Sequence, residues 1–148
     1  MLDILKNVFK SEMFITIISG IVVFAISQLI MEKIIKPRDK FKEEKGKIVC
    51  YITMYANLIF NPCKKEEYIK DNNYYQGSQN IRMVASEFAG LLESHPLVCR
   101  RKKYNDIVSS LIGISNGFYK EENENDLIKE NRKLVNSIYK KFRIKDKY

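Results

Sequence analysis

MFITIISGIVVFAISQLIM, Met13 to Met31, runs for nineteen residues without a charge and is closed abruptly by Glu32 and Lys33. At about 1.5 Å per residue a helix of that length spans roughly 28 Å, close to the hydrocarbon thickness of a bilayer. The stretch reads as one transmembrane helix near the N-terminus. A cleaved signal peptide competes, because Ala25-Ile26-Ser27 offers a small-x-small site. The apolar run nevertheless continues through Leu29-Ile30-Met31, and the short leader, residues 1–12, carries Asp3 and Glu12 where a signal sequence is basic. The retained anchor fits better.

Orientation follows from the lysines and arginines flanking the span. The leader holds Lys6 and Lys10, whereas Lys33, Lys36, Arg38, Lys40, Lys42, Lys45 and Lys47 follow it. The excess places the larger C-terminal part in the cytosol, with the span in the inner, cytoplasmic, membrane. Cys50, Cys63 and Cys99 are odd in number and widely spaced, without a CxxC, as expected of reduced thiols; two of the three read as core residues.

Residues 32–40 read as a juxtamembrane linker and residues 41–148 as one small cytosolic domain, too short for two cores. Apolar positions in it recur at helical spacing. Phe41, Ile48, Val49, Ile52, Tyr55, Ala56 and Ile59 form a stripe ending at Asn61-Pro62. Lys64 to Gly77 is polar and rich in tyrosine and asparagine, and predicts a loop with at most a short helical turn. Ser78 is the expected cap of a second helix carrying Ile81, Val84, Ala85, Phe88 and Leu92, closed by His95-Pro96. Asn105 is the expected cap of a third, through Ile107, Val108, Leu111 and Ile112 to the Asn116-Gly117 stop. The fourth follows the acidic stretch Glu121 to Glu124 and carries Leu127, Leu134, Val135, Ile138 and Phe142. With no alternating strand pattern of useful length, the expected fold is all-α: one N-terminal transmembrane helix and a cytosolic four-helix bundle. Pro37 requires a kink, or a new helix with Pro37 near its first position.

Catalytic chemistry finds few residues to work with. His95 is the single histidine and lies beside a proline, so a histidine-rich zinc site is excluded. Neither common phosphate-binding glycine loop is present. Lysines after Cys63 can lower a thiol pKa, but no second catalytic partner accompanies it. The expectation is a protein that is not an enzyme, with no catalytic residues, no metal ligands and no cofactor.

Two features rise above this background. Arg100-Arg101-Lys102-Lys103, beside Tyr104, is a run of four cations read between the second and third helices. It is either a solvated loop tip or a polyanion-binding site for a nucleotide, an oligonucleotide or a lipid headgroup, since Arg and Lys concentrate phosphate by charge. The formal charge of +8 favours a polyanionic neighbour without choosing among them. Tyr139 to Tyr148, with five cations around Phe142 and Ile144, has an amphipathic pattern closer to membrane-surface binding than to nucleic-acid binding.

The second feature is one face of the span. At 100° per residue Thr16, Ser19, Gly20, Val23 and Ser27 fall within about 100° of arc. Small and hydroxyl residues on one side let helix backbones approach in lipid, so a homo-oligomer is expected beside the lipid bilayer as partner. With four or more copies this face can line a narrow pore whose uncharged wall gates by wetting.

The layout of short leader, one span and small basic helical domain, with Arg82-Met83-Val84-Ala85-Ser86-Glu87 and Leu111-Ile112-Gly113-Ile114-Ser115-Asn116, resembles small single-pass bacterial membrane proteins. It is similar to the membrane effectors of bacterial anti-phage systems, including Hailong-type channel effectors. That resemblance implies a channel or membrane effector answering to DNA oligomers, and assigns no residue. The alternative from another class is a membrane-tethered adaptor without a pore, binding a protein partner through Tyr68 to Gly77, where Tyr74-Tyr75 are the candidate contacts.

Overall fold

The computed structural model describes residues 12–120 and 124–144; of Glu124 and Asn125 it describes the backbone alone. Helix α1 spans Glu12–Ile30, and the five residues Met31–Ile35 form a π-type turn. Helix α2 is Lys36–Met54, followed by α3, Ala56–Phe60, a two-residue strand β1, Cys63–Lys64, and α4, Lys65–Lys70. Then come α5, Asn72–Ser94, α6, Arg101–Asn116, a second two-residue strand β2, Tyr119–Lys120, and α7, Glu124–Phe142. The expected all-α architecture is the observed one. The chain divides into two compact units, Met1–Pro37 and Arg38–Tyr148.

In the first unit α1 buries none of its residues. Residues 32–40, expected as a linker, are helical throughout. Pro37 explains the π-type turn before it. Its ring crowds the carbonyl four residues earlier in an ordinary helix, and the turn widens instead: the Lys36 N–H donates to the Met31 carbonyl, five residues back. Pro37 thus stands in the first turn of α2, where proline is tolerated.

The second unit packs four long helices, α2, α5, α6 and α7, around one core. Ile48 and Ile52 of α2, Ile81, Val84, Phe88 and Leu92 of α5, Ile107, Leu111 and Ile114 of α6, and Val135 and Ile138 of α7 are all buried in it, with Phe118 from the β2 approach. The first stripe breaks at Tyr55, between α2 and α3, and Ile59 still reaches the core.

Three expected boundaries move. Lys64 to Gly77 is not a loop: α4 and the first turns of α5 occupy it, and Asp71 rather than Ser78 caps α5, its side chain accepting from Asn73 N–H at 2.9 Å. Ser78 lies buried inside α5, its hydroxyl 2.9 Å from the Tyr68 hydroxyl. Asn105 is interior to α6, which starts four residues earlier. The strands pair in parallel, Cys63 with Tyr119 and Lys64 with Lys120, and are too short to leave an alternating pattern.

Asn131 on α7 clamps this side of the fold. Its buried Nδ2 donates to the carbonyls of Ile59 and Gly117, both at 2.8 Å, joining the ends of α3 and α6 to α7. Glycine is required at 117 by close approach, because a Cβ there would run into Asn131 Oδ1.

Candidate functional site

Three of the four cations begin a helix, and Arg100 ends the turn before it. After α5 the chain is wound by backbone bonds, Cys99 N–H to His95 carbonyl at 2.9 Å and Arg101 N–H to Pro96 carbonyl at 3.0 Å, with Cys99 buried beneath. Arg100 then takes a left-handed conformation, φ 51° and ψ 54°, and α6 starts at Arg101. Cations in a first helical turn oppose the helix dipole at roughly 0.3–1 kcal/mol each, and a non-glycine left-handed residue costs about 1–2 kcal/mol. Asn105, the better N-cap by side-chain preference, is passed over for this start.

All four side chains are exposed. Arg101 pairs with Glu93 at 2.6 Å, and both partners are open to water, where such pairs contribute little. Lys103 Nζ lies 4.9 Å from the centroid of the Tyr104 ring. Among the described residues, no carboxylate pairs with Arg100, Lys102 or Lys103. Pro96, Leu97, the four cations, Asn105 and Asp106 line an open hollow of about 710 Å³.

The structure also joins two basic segments that are far apart in sequence. Lys141 Nζ near the end of α7 donates to the Lys103 carbonyl at 3.3 Å and pairs with Asp106. Beneath them Phe142 packs against Tyr104 at 6.0 Å and Phe88 at 6.0 Å, and Phe41 of α2 against Tyr104 at 5.0 Å. Lys45 donates to the Phe142 carbonyl at 2.8 Å. Arg143 closes α7, also left-handed at φ 55°, in a Schellman-type end with Ile144 N–H bonded to the Tyr139 carbonyl at 3.0 Å. One end of the domain therefore carries Lys45, Arg100 to Lys103, Lys141 and Arg143 over a shared aromatic floor. Lys145 and Lys147 lie outside the described residues. The roles of Lys45 and Lys141 could not be read from sequence, because they depend on which helix ends meet.

On α1 the hydroxyl side chains bond within their own helix. Thr16, Ser19 and Ser27 donate their hydroxyl protons to the carbonyls four residues earlier, at 2.8, 2.7 and 2.8 Å. Val23 is exposed, and nothing lies within 4 Å of where a Gly20 Cβ would stand. The three hydroxyls thus meet their bonding needs within the helix, and the face around Gly20 is open to close approach.

Other sequence candidates divide. Cys63 and Cys99 are buried and Cys50 exposed, all three as thiols. Burial pushes the Cys63 thiol up, against the lowering that neighbouring lysines suggest, which opposes a nucleophilic role. Tyr74 folds onto the domain, its hydroxyl donating to the Asn61 carbonyl at 2.8 Å, while Tyr75 stays half exposed. Lys47 is held above the usual lysine range, first by its 2.9 Å bond to Glu44. Among the described residues no cluster of histidine, cysteine and carboxylate side chains could hold a metal ion.

Among the described residues, fold and site together define a nearly all-α arrangement with one helix long and apolar enough to cross a membrane, followed by a small helical domain with a strongly basic end. No protein-family model, curated protein or solved structure matches it.

Proposed function

We propose that this chain is a single-pass effector of the inner membrane. In this reading α1 anchors it and self-associates through Thr16, Ser19, Gly20, Val23 and Ser27, the helical domain faces the cytosol, and the basic end binds a nucleotide or oligonucleotide that governs the assembled spans. The observation that carries it is the meeting of Arg100 to Lys103 with Lys141 and Arg143 at one end of the domain. A phosphate polyanion offsets the mutual repulsion and the unfavourable position of cations at the start of α6. Four or more copies would bring the α1 faces around a narrow path gated by dewetting, as the likeness to channel effectors of anti-phage systems implies. The tethered adaptor retains Tyr75 as a contact, with Tyr74 already committed to Asn61.

The test is binding of a fluorescent oligonucleotide to the full chain in nanodiscs. The parent should bind, with affinity falling steeply as salt rises, and replacing Arg100, Arg101, Lys102 and Lys103 together by Gln should abolish binding. Equal binding by parent and variant, or none by the parent, contradicts the reading.

A further inference from the structure

Leu97 is 91% exposed, more than any other large apolar residue described in the chain, and it stands in the turn that delivers the four cations. Pro96 before it is also exposed, while Cys99 two residues on is buried and fixes the turn to the core. A soluble polyanion has no use for an apolar tip; a lipid surface does. Side chains such as leucine enter the boundary between headgroups and acyl chains when cations beside them meet lipid phosphates, and each cation near an anionic leaflet multiplies affinity roughly fivefold.

We infer that the Pro96-Leu97 tip with Arg100, Arg101, Lys102 and Lys103 is a docking surface for an anionic lipid bilayer. It rests on the reading of α1 as a membrane anchor, which keeps lipid at high local concentration. The surrounding groups agree. Glu93 and Asp106, carboxylates beside the run, are each paired with a cation, Arg101 and Lys141. Elsewhere the exposed Ile69 has lysines beside it but also Glu66, Glu67 and Asp71, which a negative surface repels. Lipid and a soluble polyanion compete for the same cations, so ligand binding lifts the tip from the bilayer.

The chain contains no tryptophan, so Leu97→Trp supplies a single reporter at an exposed position. A Met83→Trp variant is the control, exposed on α5 about 16 Å along that helix from its end. Both are placed in nanodiscs of phosphatidylcholine alone and of a mixture rich in phosphatidylglycerol. The expected result is blue-shifted emission, quenched by brominated lipid, for Leu97→Trp in the anionic discs only. The Met83→Trp control should remain water-like in both, and the shift should vanish when the four cations are replaced by Gln. Water-like emission of Leu97→Trp in anionic discs overturns the docking, as does an equal shift in Met83→Trp. Oligonucleotide titration of the same discs separates the two ideas: an initial shift that is reversed as oligonucleotide binds is the expected competition, binding in anionic discs that showed no initial shift overturns the docking and leaves the soluble-ligand reading standing alone, and a shift without binding leaves the docking alone.

Discussion

Helices α1 and α5 are of similar length, nineteen and twenty-three residues, yet they satisfy their side chains in opposite ways. α5 buries eight residues along one face, among them Ile81, Val84, Phe88 and Leu92, and leaves Arg82, Met83 and Glu87 outside. α1 is apolar on every side and buries none. The hydroxyls show the same contrast. Ser78 of α5 finds Tyr68 on α4, 2.9 Å away, while Ser94 of α5 bonds the Gly90 carbonyl; in α1 Thr16, Ser19 and Ser27 all turn back to their own backbone. A helix packed in protein can reach tertiary partners for some of its polar groups, whereas the described hydroxyls of α1 bond only within their own helix.

The contrast can be broken by mutation. Phe88, fully buried between Phe41 and Phe142, should cost about 3–5 kcal/mol of domain stability as Phe88→Ala, read from denaturant unfolding, while Phe24→Ala in α1 should leave that transition unchanged. Conversely, Ile21→Arg at the middle of α1 should penalise membrane insertion by about 3 kcal/mol in an integration assay. Met83→Arg on the open face of α5 should alter neither insertion nor unfolding.

Asn131→Leu sharpens the point about tertiary satisfaction. It leaves the Ile59 and Gly117 carbonyls without their donor and should lower stability by about 2 kcal/mol, with the melting temperature as readout. Smaller still, Arg100→Gly and Arg143→Gly should each raise stability by about 0.5–1 kcal/mol, because glycine adopts the left-handed conformation freely. Arg100→Gly should weaken oligonucleotide binding in the same sample. Last, Cys50 should react with a thiol reagent well before Cys63 and Cys99, whose thiols are raised by burial. The contribution of those two is complete below the ordinary thiol value of 9.0 and is lost as pH rises through their elevated folded values.

An uncharged run of nineteen residues made the long apolar helix legible, and periodicity the core faces: Ile48, Ile52, Ile81, Phe88, Leu111 and Ile138 stand buried as their spacing required, whereas Ile112 of the α6 stripe stands exposed. Helix starts were less legible where backbone geometry overrides side-chain preference. Asp71 was an available cap, but the tyrosine- and asparagine-rich stretch after it reads as loop until Tyr74 and Tyr68 are seen packed. The start of α6 was hidden because the turn before it is held by backbone bonds and a buried cysteine, against both capping preference and dipole. The cationic run was visible as a run; its union with Lys141 and Arg143 was not, since only the packing of Phe142 on Tyr104 brings those helix ends together. Leu97 carried no signal, because an apolar residue beside a proline turn is as readily core as surface.

The most direct test of the central claim, that α1 is an associating anchor while the helical domain supplies the ligand site, is the mass of the full chain in nanodiscs by mass photometry, with Gly20→Leu alongside. The account predicts a discrete assembly of four or more copies that Gly20→Leu disperses, because the leucine blocks the open approach at that face. A monomer in both samples would contradict it.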